Sequence, residues 1–250
     1  MIASSIGRRA LGSSLVLLLL LMLAACGPQP TSEPAAPAEP AVDSEPAHDE
    51  AHHDEDVLPL PKRLAFMSGH VEAGLALYRA GEPEMASTHL LHPVSETHAD
   101  ERVGLDALGF EAALFEVVSE ALENGLPAAE IEPQLAAAEA NLAQVTGKAG
   151  GDPKEIVAYL MDTVVEEYEI GVPEATVTDP GEYQDAFGFT VVAIQRAEAF
   201  EGEAADRLHQ ELEALLALWP EAPVPPEAPT SFAAIEEQVE RVREALAAIG

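Results

Sequence analysis

Cysteine is almost absent from this sequence, since Cys26 is the only one among 250 residues. A single cysteine excludes a disulfide within the chain, and it excludes the multi-thiolate sites that hold structural zinc. Any metal bound by the rest of the chain must therefore be held by imidazole and carboxylate groups.

Basic residues are also scarce, with 12 Lys and Arg against 45 Asp and Glu and a formal net charge of −33. Such a chain repels nucleic acid and anionic lipid headgroups, and it attracts cations. We therefore expect no nucleic-acid partner. Two interpretations of the acidity stay open: a surface that concentrates cations, or the solvated exterior of an exported or salt-adapted protein.

Familiar catalytic motifs are missing as well. The sequence has no G-x-S-x-G nucleophile elbow, no H-E-x-x-H pair, no phosphate-binding glycine loop and no spare cysteine nucleophile. We therefore expect a binding or structural protein rather than an enzyme.

The first 25 residues are typical of an export signal. Arg8 and Arg9 form a basic start, nine apolar residues follow at 15–23, and two small residues precede Cys26. The apolar run is too short for a membrane span, which needs about 20 residues.

The stretch Leu23-Ala24-Ala25-Cys26 resembles the lipobox of bacterial lipoproteins. The resemblance implies cleavage before Cys26, lipidation of that residue, and a mature protein with ten basic and 45 acidic residues, net charge −35. Gly27 stands where Asp would retain a lipoprotein at the inner membrane, so an outer-membrane anchor facing the periplasm is expected. An ordinary cleaved signal with a chance cysteine is the alternative.

Residues 26–62 are predicted to form a lipidated, disordered linker. Positions 27–61 contain eight Pro and nine acidic residues without apolar periodicity, so they bury too little surface to offset the entropy of folding. His48, His52 and His53 lie in its tract AHDEAHHDED. Acidic His-rich tracts can bind Zn, Cu or Ni weakly; a soluble spacer is the alternative.

Residues 63–250 are predicted to form one all-α domain, a helical bundle of about seven to eight helices. Apolar residues recur at spacings of three and four, as at Ile235, Val239, Val242 and Leu246, and so share one helix face. The pattern predicts helices near 63–80, 83–92, 99–123, 127–146, 153–170, 180–201, 203–219 and 231–248.

Local residue types mark the expected helix ends. Gly81, Gly125 and Gly147 stand where a left-handed cap is expected. Capping boxes are predicted at 97–100 and 179–182, which begin with Thr97 and Asp179. A proline-rich segment, residues 220–229, joins the last two helices.

The first predicted hairpin carries a group of histidines. His70 lies in an apolar row one turn after Phe66, which points it inward, and Gly69 and Gly74 would let another backbone come close to it. His70 and His92 are each 11 residues from the turn at Gly81, so two antiparallel helices would bring them to similar heights.

These histidines predict a transition-metal site for Fe, Zn, Cu or Ni, between which the donors do not choose. A carboxylate is expected from Asp185, one turn before a core aromatic residue on a central helix, with Glu167 a weaker candidate for the same role. The predicted ligands are His70, His89, His92, Glu96, His98 and Asp185.

An alternative without metal fits the same residues. His89 and His92 lie in the last turn of their predicted helix. An imidazole there can donate hydrogen bonds to the exposed carbonyl groups, and its positive charge is stabilised by the helix dipole. His70 would then be a hydrogen-bonded core histidine, and His92, which precedes Pro93, would swing away.

The stretch YRAGEPEMASTHLLHPVSE, residues 78–96, resembles part of the imelysin-type periplasmic proteins, iron-regulated helical bundles that are often lipoproteins. That family carries a G-x-H-x-x-E motif. The nearest stretch here is Gly69-His70-Val71-Glu72, whose spacing differs on both sides of the histidine, so the resemblance transfers only His70.

Two functions follow from these features. The first is a membrane-anchored, periplasm-facing module that binds or handles a transition-metal cation, accessory to metal uptake and partnered by an uptake or envelope protein. The second is an adaptor without metal, which docks a partner protein through its C-terminal helix and would keep a folded core without residues 220–250.

Overall fold

Eight α-helices and no strands make up the regular structure of the described residues, which are 58–94 and 102–250 of this computed structural model. The helices are α1 (Leu60–Ala80), α2 (Pro83–Leu90), α3 (Ala112–Glu123), α4 (Ala128–Ala149), α5 (Pro153–Gly171), α6 (Pro180–Ala197), α7 (Glu203–Leu216) and α8 (Phe232–Ala247). The predicted all-α class is confirmed. None of these helices is both long and apolar enough to cross a membrane.

Several helix ends have the predicted chemistry. Gly81 ends α1 with φ 88°, and its amide bonds the Tyr78 carbonyl oxygen at 3.1 Å. The Asp179 side chain caps α6 by accepting a hydrogen bond from the Gly181 amide at 2.9 Å. Asp152, which was not among the predicted caps, caps α5 in the same way. These residues satisfy backbone groups that a helix end leaves without partners.

Several predicted boundaries are wrong. The first helix begins at Leu60 rather than at residue 63, and the helices expected to end at residues 201 and 219 end at Ala197 and Leu216. The helix expected from residue 99 begins only at Ala112, because Gly104 and Gly109 both adopt φ 88° before it. Gly147 lies inside α4, which ends before Gly150 at φ 64°. The helix expected to end at residue 92 ends at Leu90 and is followed by a short 3₁₀ turn, His92–Val94.

The apolar side chains form two clusters that meet along α1 and α6. One cluster lies among α5, α6, α7 and α8 and includes the buried aromatic residues Tyr168, Tyr183 and Phe189. The other lies among α1, α2, α3 and α4 and includes Tyr78 and Phe115. α6 packs against α1, α5 and α7, so the helix predicted to be central is central.

A glycine-to-glycine crossing sets the distance between α1 and α6. A Cβ atom added to Gly188 would lie 2.0 Å from the carbonyl oxygen of Gly69, and one added to Gly69 would lie 2.0 Å from the Phe189 ring. On the same helix, Gly74 lies against Leu90 and His89 of α2. The predicted close backbone approach beside His70 is therefore present, and it brings the next residue, His70, towards α6.

Candidate metal site

Four buried side chains from three helices and a turn meet beside this crossing. His70 projects from the middle of α1, His89 from the last turn of α2, His92 from the 3₁₀ turn, and Asp185 from the second turn of α6. The hairpin of α1 and α2 brings His70 and His92 together, with ring centroids 4.0 Å apart, as the counting from the turn predicts.

Asp185 joins the two helices of the hairpin through one oxygen atom. Its Oδ1 accepts hydrogen bonds from Nδ1 of His70 at 2.7 Å and from Nδ1 of His89 at 2.8 Å. The three groups offer ligand atoms that all lie within 4.8 Å of one another. Two imidazoles and a carboxylate therefore converge at one point.

Gln184 orients the second ring nitrogen of His89. The Nε2 atom of His89 lies 2.8 Å from Oε1 of Gln184, whose own Nε2 donates to the sulfur of Met85 at 3.1 Å. Both ring nitrogens of His89 thus face oxygen acceptors, an arrangement that a protonated imidazole satisfies. A chain of contacts from Met85 to Asp185 holds the ring in one orientation.

His70 keeps one ring nitrogen without a partner. Its Nε2 atom is buried and makes no hydrogen bond. The ring is fixed on several sides, by His92 stacked against it and by the edges of Phe66 and Phe189, with centroids 4.7 and 5.3 Å away. A buried nitrogen without a partner is costly.

The site opens onto a cleft of about 440 Å³. Besides the three histidines and Asp185, the cleft is lined by Glu167 of α5 and by Glu182 of α6. These two carboxyl groups lie close enough together for Glu182 to shift the protonation of Glu167. Further oxygen donors are therefore available to an ion that enters from this side.

Burial and pairing shift the protonation of the site in opposite directions. Burial alone would raise the pKa of Asp185, but the hydrogen bonds and charges of His70 and His89 outweigh it and lower the pKa to about 2. Burial, the largest single cause, would lower the pKa of His89, but the hydrogen bonds to Asp185 and Gln184 together with the charges of Asp185 and Glu182 outweigh it and raise the pKa above its usual 6.5. Without a cation, Asp185 is ionised at neutral pH, and its charge favours the protonated form of the His89 imidazole over the neutral one.

The neighbouring carboxyl pair behaves differently. Burial, the largest cause, together with the hydrogen bond and the charge of Glu182, raises the pKa of Glu167 to about 9. Glu167 therefore keeps its proton at neutral pH and acts as a hydrogen-bond donor to Glu182. The negative charge of Asp185 contributes to the same shift.

The donor set fits a divalent transition metal. Two imidazoles and one carboxylate at a common point, with a cleft on the open side, form the 2-His-1-carboxylate set that suits Fe(II) and also binds Zn, Cu or Ni. A cation at this point would replace the protons that now bridge the rings and the carboxylate, since ligands must be deprotonated.

The predicted ligands divide into three groups. The structure brings His70, His89 and Asp185 together, and it places His92 against His70 by ring stacking. The ring of His89 bonds side chains of α6 rather than the carbonyl groups of its own helix, so the capping alternative does not describe it. The remaining predicted positions lie outside the described residues: Cys26, His48, His52, His53, Glu96 and His98.

Sequence reasoning missed Gln184, and it treated Glu182 only as a helix-start residue. The one available signal for Gln184 is its place beside Asp185 on the central helix, where it is a polar residue that α6 buries to 2% exposure. Such a residue needs a polar partner, but the sequence does not say that the partner is His89.

A protein-family model described as an iron permease-associated 4-helix bundle domain matches residues 153–250. The matched region is α5 to α8, so this part of the chain is similar to a helical domain associated with iron uptake. It contains Asp185, whereas His70 and His89 lie outside it. No curated protein and no solved structure matched the chain.

Proposed function

We propose that this protein is a binding module which takes a transition-metal cation, with iron favoured, as cargo and serves a metal-uptake permease. The observation that carries the proposal is the pair of imidazole nitrogens, on His70 and His89, at 2.7 and 2.8 Å from one buried oxygen of Asp185. The similarity of residues 153–250 to an iron permease-associated domain supports the same role.

The donors are compatible with iron, and the similarity of residues 153–250 to an iron permease-associated domain is what favours iron over the other cations. The site combines two nitrogens with a carboxylate oxygen, and Glu167 and Glu182 add oxygen donors to the cleft. Oxygen-rich surroundings favour a harder cation over Cu(I), which prefers sulfur ligands. Proton-bearing groups fill the site before the metal arrives, so binding releases protons and weakens as the pH falls.

The proposal places the protein in the cell envelope, anchored through a lipid on Cys26 and facing the periplasm. Its support is the signal-like N-terminus and the stretch Leu23-Ala24-Ala25-Cys26. A cargo-binding role needs no catalytic step, in line with the missing catalytic motifs. The linker at 26–62 would then let the helical domain reach a permease in the membrane.

The apolar face of α8, which the adaptor alternative would use to dock a partner, is buried in the core. Ile235, Val239 and Val242 of α8 are fully buried, and Leu246 is 4% exposed, against α5 and α7. These are the apolar residues that a partner would need to contact. No observation in the described residues favours a protein-docking role for α8 over its role in the core.

Thermal unfolding with added cations tests the proposal. A cation present at about 100 times its dissociation constant stabilises the folded state by roughly 2.7 kcal/mol, which corresponds to about 5–10 °C for a domain of this size. We expect Fe(II) to raise the melting temperature of the full-length protein under anaerobic conditions. Zn, Cu and Ni serve as comparison cations.

Matched variants separate the site from general cation binding. His70→Ala and Asp185→Asn should each abolish the increase, whereas His209→Ala on α7, outside the cleft, should keep it. Circular dichroism checks that each variant is folded before cation is added. An equal increase in all three variants, or no increase with any of the four cations, contradicts the proposal.

A further inference from the structure

The two imidazoles that bond Asp185 are held in different ways. The ring of His89 has a hydrogen-bond partner at each nitrogen, Asp185 at Nδ1 and Gln184 at Nε2. His70 has a partner only at Nδ1, where Asp185 accepts at 2.7 Å, and its buried Nε2 atom makes no hydrogen bond. A ring held by one hydrogen bond can still turn about that bond. Other contacts must therefore fix the orientation of the His70 ring.

His92 makes the closest ring contact with His70. The two centroids lie 4.0 Å apart and the ring planes meet at 17°, which is a stacked arrangement. The rings of Phe66 and Phe189 stand nearly perpendicular to His70, with centroids 4.7 and 5.3 Å away. Of these three rings, only His92 lies parallel to His70 and so determines the plane in which that ring lies.

The backbone around His92 is suited to hold its ring in place. His92 is 6% exposed and begins the short 3₁₀ turn His92–Val94, which packs against α1 and α3. Pro93 follows it and is buried. Proline fixes its own φ and restricts the conformation of the residue before it. His92 therefore presents a fixed surface to the ring of His70.

The same geometry keeps His92 out of the coordination sphere of a cation on His70. The lone pair of an imidazole nitrogen lies in the plane of its ring, and a metal binds at about 2.0–2.1 Å from that nitrogen. Two rings stacked at 4.0 Å direct their lone pairs along nearly parallel planes, which do not meet at that distance. Among the described residues, the ligand atoms within 4.8 Å of one another come from His70, His89 and Asp185.

We infer that His92 is a positioning residue of the metal site and not one of its ligands: by stacking, it holds the His70 ring so that Nδ1 points at the Asp185 oxygen where the cation binds. The inference rests on the proposed function for its effect on metal binding, whereas its effect on the His70 ring applies to the metal-free protein as well. With His92 outside the coordination sphere, the protein supplies three donors and leaves open positions on the ion, where a cargo ion can exchange ligands.

Two substitutions at His92 separate stacking from ligation. His92→Phe removes both ring nitrogens and keeps a flat ring, whereas His92→Ala removes the ring. We expect Fe(II) affinity to fall about 10- to 100-fold in His92→Ala, as for other groups that orient a metal ligand, and to stay within about threefold of the unaltered protein in His92→Phe. Anaerobic titration calorimetry of the full-length protein measures both. His209→Ala is the control outside the cleft, and His92→Leu, without a flat ring, replaces His92→Ala if that variant does not fold.

Imidazole proton signals in the NMR spectrum test the positioning role without metal. An ionised carboxylate can only accept, so Nδ1 of His70 carries the proton of its bond to Asp185, and His70→Gln assigns that signal. We expect this proton to exchange slowly with solvent in the unaltered protein and in His92→Phe. In His92→Ala it should exchange at least about tenfold faster, because exchange requires the bond to open. The Nδ1 proton of His89 should not change, since Gln184 also holds that ring.

Two results would overturn the inference. An equal loss of Fe(II) affinity in His92→Phe and His92→Ala would make His92 a ligand. Slow exchange of the His70 proton in folded His92→Ala would show that stacking does not hold the ring. If the unaltered protein binds no Fe(II), the proposed function fails, and the exchange rate of the His70 proton alone then decides the positioning role.

Discussion

Asp185 is the only carboxylate among the described residues that the fold buries, at 7% exposure, although the chain has 45 acidic residues. A buried charge is costly unless it is paired. The partners of Asp185 are two imidazoles from a separate hairpin rather than a lysine or an arginine. Imidazoles exchange protons for metal ions near neutral pH, which makes this pairing suited to reversible binding.

Gln184 offers a residue-scale test, because it orients a proposed ligand without being one. Gln184→Ala removes the partner of the His89 Nε2 atom and leaves all three donor groups present. We expect affinity for Fe(II) to fall about 10- to 100-fold, as for other partners that orient metal ligands. Titration calorimetry measures the change.

The control for this variant is Gln238→Ala, a buried glutamine of α8 that bonds Glu211. It should lower stability without changing metal affinity. Equal metal affinity in Gln184→Ala and the unaltered protein would contradict the orienting role.

Glu167 makes the metal-free protein less stable at high pH. Its pKa is raised from 4.5 to about 9 in the folded state, so between these values the folded state binds more protons than the unfolded state, and this group makes stability fall as pH rises. Glu167→Gln should remove that loss and stabilise the metal-free protein most at pH 9. Urea unfolding from pH 5 to 9 measures the difference.

Glu169→Gln, an exposed position on the same helix, is the matched control and should leave the pH dependence unchanged. If Glu167→Gln follows the same pH curve as the unaltered protein, the shared proton is absent.

At the scale of helices, the crossing of α1 and α6 determines whether the ligands meet. Gly188→Ala places a methyl group where the Gly69 carbonyl oxygen lies, 2.0 Å away. The helices must separate, so we expect a loss of about 1–3 kcal/mol in unfolding free energy together with weaker metal binding. Chemical denaturation and calorimetry measure the two effects.

Gly147→Ala is the control at the same scale. Gly147 lies inside α4 with nothing within 4 Å of an added Cβ, so alanine should stabilise that helix by up to about 1 kcal/mol. A Gly188→Ala protein as stable as Gly147→Ala would contradict the close crossing.

The hairpin of α1 and α2 could be predicted from the sequence because the residues that determine it lie close together in the chain. Equal distances of His70 and His92 from Gly81 predict their meeting, and Gly81 and Pro83 mark the end of the first helix and the start of the second. The loop before α3 could not be predicted in the same way, because side chains that are distant in the sequence hold it by hydrogen bonds. Asn141 of α4 accepts from the Glu111 amide at 3.0 Å and donates to the Gly109 carbonyl oxygen at 2.9 Å.

At the scale of the whole molecule, the site joins two parts of the chain. His70 and Asp185 are separated by 115 positions, and only Asp185 lies within the region similar to the iron permease-associated domain. Residue spacing can show that Asp185 faces inward. It cannot show which of several inward histidines the carboxylate meets, because that depends on the packing of α1 against α6.

Deletion of residues 220–250 tests how the molecule uses its C-terminus. The deletion removes α8 with four large apolar side chains, Ile235, Val239, Val242 and Leu246, that are at least 96% buried, each contributing about 1.5–3 kcal/mol. This sum is comparable with the whole stability of a typical domain. We therefore expect no cooperative thermal transition in the truncated protein. A sharp transition near that of the full chain would show that α8 is dispensable and would restore the docking role.

The most direct test of the central claim is an X-ray absorption spectrum of the full-length protein loaded with Fe(II) and desalted. The account predicts one retained iron per chain with two imidazole nitrogens and carboxylate oxygen in its first coordination shell. It also predicts that the double variant His70→Ala, His89→Ala loses the imidazole signal. A protein that retains no iron, or an iron shell without imidazole that is the same in the double variant, would contradict it.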